Sequence, residues 1–278
     1  MCNGNLLLVL GEMACDIESI IAFASDDFVD SSILQDCQVI ILHPIADARY
    51  DDKTTQIQYE IGTELGVATL LLNAVLENKA FNNNATNARF LKQILDRLSS
   101  FDFGNICSES AFSQEEIHTV ISGFFSAQNR YILLGRAFAY HKDKKLISKI
   151  LGLLSKYTST NIINENENIK VLDLDFLDEI ESKLENLPES NGAFVYLSPQ
   201  DVSNIDLIPT LEATKQFIAL SKCKNGEVIS LKKPPISLAC KVAQSPYLRG
   251  IVGIIPSASI DCYPFIPFQD IEVSKEEI

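Results

Sequence analysis

The stretch YEIGTELGVATLLLNAVL, residues 59–76, decides the architecture of this chain. Gly62 supplies a bend. Thr63 is a good N-cap, with a hydroxyl able to accept from a free N–H of the first turn. Glu64 then falls in the first turn, where the helix dipole favours negative charge. From Leu65 to Leu76 only Gly66, Thr69 and Asn73 interrupt Leu, Val and Ala. A helix apolar on every side is buried in a large domain or in a membrane. A run of about a dozen residues is short of the roughly 20 that span a bilayer. The spacing therefore predicts a core helix over 63–77 with layers of structure on both sides.

Working towards the N-terminus, TTQIQYEI (54–61) alternates and reads as a half-exposed strand. CQVIILHP (37–44) is a continuous apolar run stopped by Pro44, and NLLLVLG (5–11) is another, ending in glycine. Both read as buried parallel strands. Between them Ile17, Ile20, Ile21 and Ala24 share one helical face. Strand–helix–strand alternation predicts an α/β domain: a Rossmann-like, mainly parallel sheet with helices on both faces.

Working towards the C-terminus, the Asn-rich ENKAFNNNATNA (77–88) reads as a surface loop, followed by a helix near 88–99. Ser113 and Glu116 make a capping box, with Phe112 and Ile117 as its hydrophobic staple. NRYILLGR (129–136) is a buried strand ending in glycine, and KDKKLISKILGLLSKY (142–157) an amphipathic helix. The acidic stretch 161–191 reads as loop and helix. Composition then shifts, since nine of the ten prolines lie at 188 or later. GAFVYLS, TKQFIALS, EVISL, ISLACKVA and GIVGIIPS read as short strands, with a tight turn at Asn225-Gly226. The expected division is an α/β domain over 1–190 and a small β-barrel-like domain over 191–278.

The chain has 23 Lys and Arg against 37 Asp and Glu, a net charge of −14. That disfavours nucleic acid and anionic membrane surfaces, which need clustered cations. The N-terminus has no basic n-region before its apolar run, so no secretory signal is read. The seven cysteines are scattered at 2, 15, 37, 107, 223, 240 and 262, with no CxxC pair. They read as reduced thiols, most of them small core residues. Iron–sulfur clusters need closer cysteine spacing. His43, His118 and His141 are too dispersed for a zinc site.

The order of these units resembles the molybdopterin oxidoreductase superfamily. The resemblance rests on a Gly-ending strand, a strand ending in LHP where the family has a DP-type dipeptide, and a strand leading into Gly-Thr-acid and an apolar helix. FSQEEIHTVISGFFSAQNRYILLGRAFAYHKDKKLISKILGLL is similar to the family's acidic-capped helix, Gly-ending strand and His-containing loop. CKNGEVISL and ISLACKVAQSPYLRGIVGIIPS look like its C-terminal barrel. Within the superfamily the nearest fit is the C-terminal portion of the large iron–sulfur subunit of bacterial NADH–quinone oxidoreductase, respiratory complex I. The short barrel ending in YPFIPFQDIEV is similar to the epsilonproteobacterial type.

This resemblance implies a structural, non-catalytic portion of that large iron–sulfur subunit. Its clusters would lie in domains N-terminal to residue 1 or in partner subunits, with no cofactor in this chain. The implied partners are other complex I subunits and the cluster-binding half of the same large subunit. The implied place is the cytoplasmic side of the inner membrane, peripheral to it through the complex. The family's cofactor cleft would be framed here by Gly11, His43, Gly62, Thr63, Glu64, Gly135 and Arg136. His43 stands where the family has aspartate, Glu64 where it has aspartate, and Glu12 follows Gly11. Glu12 and Glu64 bring the wrong sign for a polyanionic nucleotide, so the cleft is expected to be present and without ligand.

Each candidate has a plainer reading. Gly11 and Gly135 either cradle a phosphate at a helix start or serve ordinary strand-to-helix turns. Arg136 and His141 either bind an anion or sit in a solvated loop. Lys142, Lys144 and Lys145 form a docking patch or a solvated helix end. Asp173, Asp175, Asp178 and Glu179 lack EF-hand spacing and read as a charged face. No nucleophile elbow is present. The alternative function is a stand-alone α/β enzyme or nucleotide-binding protein, with its site at the carboxyl ends of the sheet strands.

Overall fold

Five strands form one parallel sheet in the order β3-β2-β1-β4-β5. They are β1 (Asn5–Leu10), β2 (Cys37–Leu42), β3 (Thr54–Ile57), β4 (Asn129–Leu134) and β5 (Asn161–Ile163). The computed structural model describes residues 5–11, 37–49, 54–78, 88–163, 174–199, 208–234, 236–257 and 262–275. The helix expected around Ile17–Ala24, Glu12, Asp173 and most of the Asn-rich loop lie outside the described residues. Leu6 to Leu10 are all buried, so successive side chains on opposite faces of β1 are both covered. Strand β3 stops at Ile57. The alternation that follows, through Gln58 and Tyr59, belongs to the approach to the helix.

Among the described residues four helices lie between β3 and β4: α1 (Glu64–Glu77), α2 (Ala88–Leu98), α3 (Phe103–Glu109) and α4 (Gln114–Ser126). Helices α5 (Arg136–Ala139) and α6 (Lys144–Thr158) connect β4 to β5, and α7 (Phe176–Leu184) follows. Helix α1 packs against α2, α3, α4, α6 and α7. That ring of neighbours is why it is apolar all round, and eleven of its residues are buried. Gly66 permits the close approach: a Cβ there would lie 3.2 Å from Ile106 Cγ2 and 3.3 Å from Leu187 Cδ1. At α4 the capping box forms as expected. Ser113 N–H donates to Glu116 Oε2 at 2.7 Å, and Glu116 N–H donates to Ser113 Oγ at 3.3 Å.

A second sheet has seven strands in the order β11-β6-β10-β7-β9-β8-β12. They are β6 (Ala193–Pro199), β7 (Thr210–Ala213), β8 (Val228–Lys233), β9 (Ile236–Gln244), β10 (Ile251–Ser257), β11 (Phe265–Pro267) and β12 (Glu272–Lys275). Its pairing is mixed, parallel for β6–β10 and β7–β9 and antiparallel elsewhere. The two edge strands are consecutive in sequence, joined through a 3-10 turn at Phe268–Asp270. Laid flat, the edges would stand roughly 29 Å apart at ~4.8 Å per strand. The four-residue connection reaches about 18 Å at most. The sheet must therefore curl, and it forms a half-barrel around Val195, Leu197, Leu211, Phe217, Ile229 and Val242.

One expected strand is a helix. TKQFIALS folds as α8 (Lys215–Leu220), and the strand lies just before it at β7. Thr214 decides this, because its Oγ1 accepts from Phe217 N–H at 3.2 Å and caps the helix. The Asn225-Gly226 turn accordingly joins α8 to β8 and not two strands. Of the five described cysteines only Cys223 and Cys240 are buried, and Cys262 is exposed, so the core reading of the thiols holds for those two.

The described chain divides into two compact units, Met1–Pro44 with Asp51–Glu189, and Ile45–Tyr50 with Ser190–Ile278. In the second unit Asp47 bridges Leu248. Ala48 N–H donates to Tyr247 O, and Arg249 N–H to Ala46 O, both at 3.2 Å. Among the described residues no helix is long and apolar enough to cross a membrane.

Candidate functional site

In a parallel sheet every strand ends on the same side. In the order β3-β2-β1-β4-β5 the direction of winding reverses between β1 and β4, which is where open α/β sheets leave a crevice. Gly11, His43 and Gly135 each follow directly on a strand there. Their N–H groups donate to the neighbouring strand: Gly11 to Leu42 O at 2.8 Å, His43 to Ile57 O at 3.1 Å and Gly135 to Leu10 O at 2.8 Å. Ala137 N–H donates to Gly11 O at 3.2 Å, drawing α5 over the end of β1. Ala137 and Phe138 are buried on Gly11. A Cβ on Gly11 would lie 2.6 Å from Ala137 Cβ and 2.8 Å from Phe138 Cδ2. The Phe138 ring meets Tyr59 edge-on at 6.3 Å. Among the described residues the N–H groups of Gly11, His43 and Gly135 are thus engaged with neighbouring backbone, and an aromatic ring packs against Gly11. His43 is buried at the end of β2, and Arg136 is half-buried at the start of α5.

The corner ahead of α1 gathers the polar groups. Thr63 occupies the N-cap position, but its hydroxyl donates to Glu60 O at 2.6 Å and does not accept from the helix. The hydroxyl therefore ties down the turn of residues 60–63. Glu64 is fully buried. Tyr59 O–H donates to Glu64 Oε1 at 3.4 Å, and His141 Nε2 stands 3.4 Å from Oε2 and 3.2 Å from Gly62 O. On the other side of the ring, Asp143 N–H donates to His141 Nδ1 at 3.0 Å. An accepting Nδ1 places the proton of the neutral imidazole on Nε2, facing Gly62 and Glu64. Asp143 Oδ1 takes Lys183 Nζ of α7 at 2.6 Å. Burial holds His141 below its ordinary value of 6.5, against the opposing pull of the Gly62 carbonyl and Asp143.

Beside this network lies a pocket of about 260 Å³, lined by Gly62, His141, Lys142, Asp143, Lys183 and Pro188 among others. The structure thus brings Gly62 and Glu64 to His141, and Gly11 to the turn after Gly135. His141, read from sequence with Arg136 as an anion contact or part of a solvated loop, is instead buried and faces the α1 corner. Tyr59, Asp143 and Lys183 were not legible as a group. Lys183 is 40 residues from Asp143, and nothing in the intervening sequence marks the pair. Asp175 and Asp178 pair with Arg97 on an exposed face. Among the described residues no group of three or more His, Cys, Asp or Glu could hold a metal ion.

No protein-family model matches this chain, and no curated protein matches it in sequence.

Proposed function

We propose that this chain is a structural, non-catalytic portion of the large iron–sulfur subunit of a respiratory NADH–quinone oxidoreductase. Its role is to pack against cluster-bearing domains and partner subunits on the cytoplasmic side of the membrane, held by protein contacts. The observation that carries this reading is the packing of Ala137 and Phe138 on Gly11 at the switch point of the sheet. A pyrophosphate needs free N–H groups and close backbone approach at that position. The motif order supplies the family, and the half-barrel after the α/β unit agrees with it.

Native pull-down of the tagged chain from membranes tests the reading. Cluster-bearing oxidoreductase subunits are expected in the eluate, and recovery as a free monomer would count decisively against it. The second reading, a nucleotide-binding protein, is favoured by the pocket beside His141 with Lys142 and Lys183 on its wall. Calorimetric titration with GTP or NAD separates the two. No micromolar binding is expected, whereas tight binding left unaltered by His43→Asp would replace the first reading with the second.

A further inference from the structure

We propose that His141 is a proton-operated latch that ties the start of α6 to the corner ahead of α1 and lets it go on acidification. The neutral ring bridges the two elements, with Nδ1 accepting from Asp143 N–H at 3.0 Å and Nε2–H aimed at Gly62 O at 3.2 Å. Asp143 is the residue from which α6 begins: Leu146 and Ile147 N–H both donate to its carbonyl. A protonated imidazole has no acceptor, because both ring nitrogens then donate. Two N–H groups would face each other at the distance of a hydrogen bond. The turn over 141–143 must move, or the ring must rotate, and either breaks the bridge.

The groups facing the ring set when this happens. From the α1 side they are Glu64 and the Gly62 carbonyl, with Tyr59 behind Glu64. From its own turn they are Lys142 and Asp143, and from α7 Lys183, through Asp143. The Gly62 carbonyl and the Asp143 carboxylate favour the imidazolium, and the Lys142 and Lys183 ammonium groups oppose it. Burial of the ring, 4% exposed, opposes it most. The folded-state value therefore lies below that of the unfolded chain. The latch is fully closed above about pH 6.5 and weakens as the pH falls below it, because the unfolded or opened chain takes up the proton first. The pocket that His141, Lys142, Asp143 and Lys183 share would open with it. The Asp143 carboxylate, with Oδ2 at 3.9 Å from Nδ1, is an acceptor within reach of the new N–H once the turn moves, and is held by Lys183 while the latch is closed.

Amide hydrogen exchange at about pH 7.5 and about pH 5, corrected for the intrinsic pH dependence of exchange, tests the latch on the full chain. Protection of the amides of residues 142–147 is expected to fall on the order of tenfold at the lower pH. His141→Gln keeps a neutral acceptor and donor in place, and its protection should not change with pH. An equal loss in the variant would overturn the latch. Nitrogen NMR of the wild-type ring gives a second readout that requires no variant. The Nε2–H tautomer at neutral pH is expected, and the Nδ1–H tautomer would overturn the proposal.

Discussion

Gly11→Val is expected to destabilise the folded chain by about 2–5 kcal/mol, the sum of two separate penalties. The first is conformational. Gly11 has φ +66°, where an L-residue is strained by roughly 1–2 kcal/mol, and more for a β-branched one. The second is steric. The new Cβ would stand 2.6 Å from Ala137 Cβ, a position fixed by the Ala137 N–H bond to Gly11 O. Overpacking of such a contact costs about 1–3 kcal/mol. Gly226→Ala is the control, because Gly226 has φ +84° but nothing within 4 Å of its Cβ position. It should lose only the conformational part, on the order of 1 kcal/mol. Urea midpoints at constant m-value measure both. Equal losses at the two sites would mean that the switch point is not packed as described.

Phe217→Ala should cost about 3–5 kcal/mol, the range for deleting a buried aromatic side chain. Phe217 is the one buried residue of α8 and stands edge-on to Phe268 at 5.4 Å. It also lies 3.3 Å from where a Cβ on Gly253 would be, so the strand facing it is already as close as glycine allows. The backbone cannot follow the shrinking side chain, and a cavity remains. The loss should be read both in the urea midpoint and as faster hydrogen exchange in β7, β9 and β10. A loss under about 1 kcal/mol would contradict the core position of the ring.

Phe217 also marks where the sequence ceased to be legible. TKQFIALS has the β-branched and aromatic content of a strand, and only the side-chain bond from Thr214 selects a helix. Long apolar runs were clear. NLLLVLG, CQVIILHP and NRYILLGR read as parallel strands because burial on both faces makes the last four residues of each strand apolar without a break. The α1 helix was equally plain, since only a ring of neighbouring helices makes a helix apolar all round. At the candidate site the glycines at the strand ends were visible. The packing of Phe138 on Gly11 was not, because AFAY carries no periodic signal. The sequence makes the hydroxyl of Thr63 a helix cap, but the nearby Glu60 carbonyl competes successfully for it.

The short segment Ile45–Tyr50 has a consequence for biosynthesis. It is translated between β2 and β3, yet its partners Tyr247, Leu248 and Arg249 are made about 200 residues later, a wait on the order of 10–40 s at ordinary elongation rates. Ile45 and Asp47 are both buried in the finished chain, and the bonds from Arg49 to the Asp47 carboxylate are local to the segment, so only these can form during that interval. The second unit is thus assembled from two distant parts of the message, and emergence of the later part from the ribosome becomes its first opportunity to close. Protease challenge of ribosome-bound chains stalled at successive lengths should show cleavage near Arg49 until residues 247–249 have cleared the exit tunnel. Protection at shorter lengths would show that the segment finds shelter before its partners exist.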